Sequence, residues 1–338
     1  MTHPTSLYPL TFQPIFKDYL WGGRNLTRLG LTLPPGDGPI AECWTISAQP
    51  DGVTPIANGA LAGLTLTDAI QRLGLDLLGQ HSAPALATGE FPLLVKLLDC
   101  NAPLSVQVHP TAAYATQLGP PHAPKTEMWY ILHAQPDAQI IYGLNRPTTP
   151  AEFRTLLTTA NGRFHDLLYH LPVHTGDAIL VPTGSLHALL GGLIVLEIQQ
   201  SANTTYRVYD WNRLDTHGQP RPLHIDHALN VINFAQIRPT AYPQRPLPGH
   251  PTHRELSRCD FFVVETLTLQ PGETFTTNLD GRTFEIWGAL SGQATLTYPA
   301  GKQHLPAVQF TLLPAALGLT TFTAIHPTRL VRAYVPAP

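Results

Sequence analysis

The chain is 338 residues long, room for about two domains and a sizeable core, and its content of 43% hydrophobic and 13% charged residues excludes a largely disordered chain. Twenty basic against twenty-three acidic side chains give a net charge of −3, too balanced for a polyanion-binding surface, so nucleic acid is not an expected partner. No run approaches the ~18 apolar residues of a membrane span, and 34 prolines with 26 glycines break the chain too often for long helices, which predicts a mainly β class. The cysteines Cys43, Cys100 and Cys259 are widely spaced with no C-x-x-C pair, and the N-terminal stretch lacks a basic-then-apolar leader. Both features predict a cytoplasmic protein with free thiols.

Residues 91–110 read as two apolar-rich strands about an Asn-Ala-Pro turn, with Val106 and Val108 alternating against Ser105, Gln107 and His109. Strands follow at 126–132 and 138–144. Next comes a helix with Thr149 as N-cap, Pro150 at its first position and Glu152 completing a capping box. Further strands are expected at 177–182 and 192–200, and a helical stretch over 225–236. Five prolines within 237–253 predict an extended linker between a first unit, 1–236, and a second, 254–338. In the second unit short strand-like runs alternate with Gly, Pro and Asn turns, as in a barrel or sandwich.

The pattern that carries chemistry lies in the first unit. Gln107 and His109 stand two apart on a strand and so share a face, and Glu127 sits early in a later strand. In GDAILVPTGSLH, Gly176, Pro182 and Gly184 frame a strand-turn-strand corner from which His187 projects into the barrel. One amide oxygen, two imidazoles and a carboxylate, from Gln107, His109, Glu127 and His187, form a ligand set suited to a borderline divalent metal. Cations and donors for an anionic substrate are at hand in Arg207, Lys96, Lys125 and Ser105. Lys96 lies in an apolar run, so its ammonium must face a polar cavity or pair with a carboxylate. Lys125 shares a face with Glu127 or else ends a strand in solvent. For Arg207 the alternative to a site role is an ion pair with Asp210. His165, His170 and His174 read as solvated, and Trp21, Trp44 and Trp129 as core or pocket-wall aromatics.

The motifs resemble those of the class I mannose-6-phosphate isomerases, metal-dependent members of the cupin superfamily. The likeness runs through KDYLWGG (17–23), ECWTISA (42–48), PLLVKLLD (92–99), PLSVQVHP (103–110), KTEMWYIL (125–132), GDAILVPTGSLHAL and LEIQQSANTTYRVYDWNR (196–213). It implies the short bacterial form without a large helical insertion, and a bicupin: a catalytic cupin over 1–236, a linker, and a degenerate all-β cupin-like unit over 254–338. The resemblance places the metal ligands on the same quartet, with Zn2+ as the usual ion. It places substrate contacts on Ser105 and Lys125 and the active-site arginine on Arg207, so that Arg207 and Lys125 are the expected catalytic pair. The implied reaction interconverts mannose 6-phosphate and fructose 6-phosphate through an enediol, with a small sugar phosphate as the only expected partner. The chain has no H-x-H pair followed closely by Glu, and Gly191 stands where many cupins have Asn; both departures suit this family better than a cupin oxygenase. QFTLLPAALG has the proline of a cupin corner but no histidine after it, which implies a second barrel without metal. A sugar-phosphate-binding bicupin without catalysis and a metal-dependent oxygenase stand as alternatives, and the sequence leaves the oligomeric state open.

Overall fold

The computed structural model describes residues 6–159, 163–215 and 218–338, so the first five residues of the N-terminal stretch lie outside the described residues. Two sheets make up the first module. A six-stranded antiparallel sheet runs Ala178–Val181, Glu127–Ala134, Leu193–Gln200, Leu93–Cys100, Glu42–Ile46 and Ile15–Lys17 from edge to edge. A five-stranded sheet runs Leu168–Pro172, Gln139–Leu144, His187–Leu189, Val106–Val108 and Tyr206–Tyr209. In the second module a seven-stranded sheet faces a four-stranded one of Thr274–Leu279, Gly318–Ala324, Ala294–Tyr298 and Gly301–Leu305. The fold is thus mainly β, in two sandwich-like barrels. Among the described residues no helix is long and apolar enough to cross a membrane.

The period of two along the central strands explains how the site and the core divide. In Leu93–Cys100, Leu93, Val95 and Leu97 enter a core shared with Leu256, Phe262, Phe284 and Ile286 of the second module, while Leu98 turns into the first barrel. Ile194, Leu196 and Ile198 enter the shared core, and Leu193 and Val195 enter the barrel. Lys96 and Glu197 fall on the barrel face of these same strands. The shared core fuses the two modules, and Phe91 meets Phe284 across it at 4.6 Å between ring centroids.

The chain's start joins the far module, since Leu10 and Thr11 pair with Leu312 and Thr311 at the edge of the seven-stranded sheet. The proline-rich stretch 237–253 runs over the first module, with Tyr242 N–H donating to Ala178 O and Gln244 Nε2 to Gly176 O. It also supplies a two-residue edge strand, Arg245–Pro246, paired with Arg254 and Glu255; prolines are tolerated there because an edge leaves one side of the ladder open.

Local structure departs from the sequence-based expectation at two points. Thr149 caps the helix Pro150–Thr158 by accepting from Glu152 N–H, but the Glu152 carboxylate turns mainly away from the cap: it accepts from Arg146 Nη2 and Thr148 Oγ1, both at 2.7 Å, with the Thr149 N–H its weakest partner. A nearby cation outbids the reciprocal half of the box. The helix expected over 225–236 is Ile225–Val231. It stops because Asn233 N–H donates to Gly184 O and Asn233 Oδ1 accepts from Ala235 N–H, a local turn that competes with the helix.

Candidate metal centre and cleft

His187 reaches the barrel interior through the corner 182–185. Ser185 N–H closes the turn on Pro182 O, and Gly184 N–H donates to His109 O at 3.0 Å, which ties the two histidine-bearing segments together. Gly184 has φ +82°, and a Cβ there would lie 2.7 Å from Val231 O. Only glycine fits that position. His187 then stands in register with Gln107 on one side and Tyr142 on the other.

The result is a buried trio. His109 Nε2 lies 3.4 Å from Glu127 Oε2, His187 Nε2 lies 3.3 Å from Glu127 Oε1, and the ligand atoms of all three fall within 4.8 Å of one another. Gln107 Nε2 is 3.3 Å from His187 Nε2. Each imidazole donates its Nδ1–H to a backbone carbonyl, His109 to Thr204 O at 2.8 Å and His187 to Ser185 O at 2.9 Å. That fixes the tautomer with a lone pair on Nε2, the state a metal ligand needs. Burial lowers both histidines, His109 to about 4, where the Lys125 charge adds to the effect, so both are neutral at physiological pH. Burial raises the Glu127 carboxyl, but the Lys125 charge and the histidines outweigh it and hold the group well below its ordinary range.

The trio leaves ligand atoms unsatisfied. His109 Nε2 and both Glu127 oxygens are buried without a hydrogen-bond partner, an unfavourable arrangement unless something binds them. Lys125 Nζ approaches Glu127 Oε2 to 2.6 Å without hydrogen-bond geometry and leaves Oε1 to the histidine side. The donor set and its orphaned atoms fit a divalent metal.

Beside the trio opens a cleft of about 310 Å³ whose lining includes Ser105, Gln107, Lys96, Lys125 and Arg207. The eight candidate ligands and substrate contacts therefore meet at one place, either in the trio or in the cleft wall. Lys96 realises both of its expectations: it faces the cleft, and its Nζ sits 3.3 Å from Glu197 Oε1 and 3.5 Å from Glu42 Oε2. Burial opposes its charge, but Glu42 and Glu197 prevail and raise its pKa. Lys125 is buried, not a solvated strand end. Arg207 does not pair with Asp210; its Nη1 donates to Pro222 O at 2.9 Å, while Asp210 takes Arg213 and Arg221. His170 and His174 are exposed as expected, whereas His165 is half-buried and stacks on Trp211.

Sequence reasoning missed Glu42 and Glu197. Each carboxylate accepts from a buried tryptophan, Glu42 from Trp44 Nε1 at 2.5 Å and Glu197 from Trp129 Nε1 at 3.0 Å, so these interior rings orient the anions that hold Lys96, while Trp21 lines the cleft. A lone carboxylate inside the apolar run LIVLEIQQ is the signal that marks Glu197.

Residues 10–125 match the family profile for the type I phosphomannose isomerase catalytic domain. A Bacillus subtilis protein named "Probable mannose-6-phosphate isomerase GmuF" is 36% identical over 319 residues, covering 94% of this chain and 95% of its own length. Mannose-6-phosphate isomerase ManA of the same organism is 38% identical over 265 residues, 76% of this chain and 78% of its own. The chain belongs to the type I phosphomannose isomerase family. The crystal structure of the mannose 6-phosphate isomerase from Bacillus subtilis superimposes with a TM-score of 0.84 at 31% identity, covering 96% of this chain and 99% of that one. The cupin fold expected of a phosphomannose isomerase is therefore the fold observed. The family profile ends at Lys125, so the placement of Glu127, His187 and Arg207 rests on the geometry above.

Proposed function

We propose that the protein is a metal-dependent aldose–ketose isomerase that interconverts mannose 6-phosphate and fructose 6-phosphate. The observation that carries this reading is the juxtaposition of orphaned buried ligand atoms in His109 and Glu127 with a cleft walled by Lys96, Lys125 and Arg207. Gln107, His109, Glu127 and His187 would hold the ion, for which zinc suits the mixed nitrogen and oxygen set. When bound, the ion supplies Lewis-acid stabilisation of several kcal/mol to the charge that develops as a proton moves between C1 and C2.

The chain's own residues do the rest. Lys125, held by Glu127 and 3.9 Å from Glu197 Oε1, offers an ammonium donor to the sugar oxygen that becomes anionic. Arg207 and Ser105 hold the substrate, and Lys96, fixed between two carboxylates, keeps the cleft wall cationic. His109 and His187, neutral and with Nδ1–H bonded to backbone carbonyls, keep an Nε2 lone pair for the ion. The buried free thiols Cys43 and Cys100 support work in a reducing cytoplasm.

The test is direct. Metal-loaded protein given mannose 6-phosphate should yield fructose 6-phosphate, and Arg207→Ala should keep its metal while losing at least about 100-fold in kcat/KM. Absence of turnover in the fully metallated wild type would overturn the reading.

A further inference from the structure

The strand Leu193–Gln200 puts a further polar side chain inside the first barrel. Leu193, Val195 and Glu197 alternate onto the barrel face, and Gln199 is the next residue on that face, fully buried and in register with Glu127. Its Nε2 donates to Ala202 O at 2.7 Å and to Gln200 O at 2.8 Å, while its Oε1 is buried without a partner. A half-satisfied buried amide costs more than an apolar side chain of the same length, so packing alone does not account for it.

Both bonds end in the turn that follows the strand. Residues 201–205 form no regular element, so bonds from side chains and neighbouring loops hold their shape. Ser201 N–H donates to Pro92 O, and two residues beyond Ala202 the Thr204 carbonyl meets His109 Nδ1 at 2.8 Å. Thr204 Oγ1 accepts from Ala123 N–H at 3.1 Å and donates to Pro121 O at 3.2 Å. Nearer solvent, Gln49 Nε2 donates to Ser201 Oγ at 2.7 Å and Asn203 Nδ2 to Asp51 Oδ2 at 2.5 Å. The turn therefore links the amide of Gln199, in the barrel, to the back of an imidazole whose Nε2 faces Glu127.

We propose that Gln199 is a positioning residue for the metal: by holding Ala202 O it fixes where Thr204 O stands, and through that carbonyl the tautomer and aim of the His109 ring. The proposal rests on the metal reading of the trio above. Gln199 does not line the cleft and acts on the ion only through the Thr204 carbonyl. With that carbonyl in place, His109 keeps its proton on Nδ1 and its lone pair on Nε2. Where the turn is free to shift, the ring is free to rotate or to change tautomer.

The experiment compares wild type, Gln199→Met, Gln199→Asn and Gln49→Ala. It measures zinc affinity by titration against a competing chelator, thermal unfolding with and without zinc, and the His109 Nδ1–H proton resonance in the metal-free protein. Gln199→Met keeps the length but loses the donor. It should weaken zinc binding about 10-fold to 100-fold, shrink the rise in unfolding temperature that zinc produces, and broaden or abolish the His109 resonance. Gln199→Asn keeps an amide of shorter reach and should bind zinc about 3-fold to 10-fold more weakly than wild type, which preserves the test should Gln199→Met not fold. Gln49→Ala should change zinc affinity by less than about threefold, because Thr204 is held without it. Zinc affinity within about threefold of wild type in the Gln199 variants, with unfolding temperatures lowered equally with and without zinc, would show a purely structural role and overturn the proposal. So would an equal loss of zinc affinity in Gln49→Ala, which would show that any loosening of the turn has the same effect. If the wild type binds no zinc, the metal reading falls, and the His109 resonance still decides whether Gln199 fixes the ring.

Discussion

Glu127 and Glu285 occupy the same place in two sheets of one strand order. Each opens its strand: Glu127 pairs with Val181 and Gln199, and Glu285 pairs with Leu313 and Tyr334. Two residues on, Trp129 stands opposite Glu197 and Trp287 opposite Arg332; these in turn face Lys96 and Glu265. The ion pair across the second sheet is therefore reversed in sign. The reversal brings a guanidinium to the carboxylate, with Arg332 bonded to Glu285 Oε1 and 3.1 Å from Glu265 Oε2. Thr277 and Trp287 complete the Glu285 shell at 2.8 and 2.6 Å. Glu127 has the Lys125 ammonium on one side only and keeps both oxygens without hydrogen bonds, whereas the Glu285 oxygens are taken by Arg332, Thr277 and Trp287.

This contrast fixes a metal stoichiometry. Purified protein should hold about one ion per chain, as expected for a single three-sided or four-sided ligand set. Metal analysis should find the ion lost in Glu127→Gln and retained in Glu285→Gln. Retention of the ion in Glu127→Gln would contradict the account.

The same contrast predicts an unequal response to removing the cation. Arg332→Met leaves buried Glu265 and Glu285 with their neighbouring hydrogen-bond donors but without the guanidinium that pairs both, which should destabilise the fold by about 3–5 kcal/mol. Urea unfolding measures it, and a loss below about 1 kcal/mol would show that the cluster contributes little.

Glu265 also sets a pH dependence. Burial raises its carboxyl, but the His253 hydrogen bond and the Arg332 charge prevail and hold it below 4.5. A carboxyl depressed in the folded state stabilises the protein above its unfolded value and loses that contribution as the pH falls. Unfolding free energy should therefore decline as the pH drops below about 4.5, with a shallower decline in Glu265→Gln. Identical slopes in the two proteins would remove Glu265 as a cause.

Gly184 couples the two histidine ligands through its N–H bond to His109 O, and its left-handed φ and the nearby Val231 O leave no room for a Cβ. Gly184→Ala should cost about 1–3 kcal/mol of stability and weaken metal retention. Thermal unfolding with metal analysis after dialysis checks both, and wild-type retention would argue against the coupling.

Much of the site was legible because β-strand periodicity is local. Gln107 and His109 share a face by their spacing alone, and the Gly-Pro corner before His187 is punctuation that few other structures need. Lys96 stood out because an ammonium in an apolar strand demands an explanation. What escaped depends on partners distant in sequence. Glu42 and Glu197 gain their roles only when the six-stranded sheet sets them on either side of Lys96. The early end of the helix at Val231 has the same origin, since Gly184 captures the Asn233 N–H from another part of the chain.

Metal held by His109, Glu127 and His187 is what would make this cleft an isomerase. A coupled assay of fructose 6-phosphate formation from mannose 6-phosphate, run on metal-analysed protein before chelation, after it, and again after zinc is restored, tests that claim most directly. Activity should vanish with the metal and return with zinc. Full turnover in metal-free protein would contradict the account.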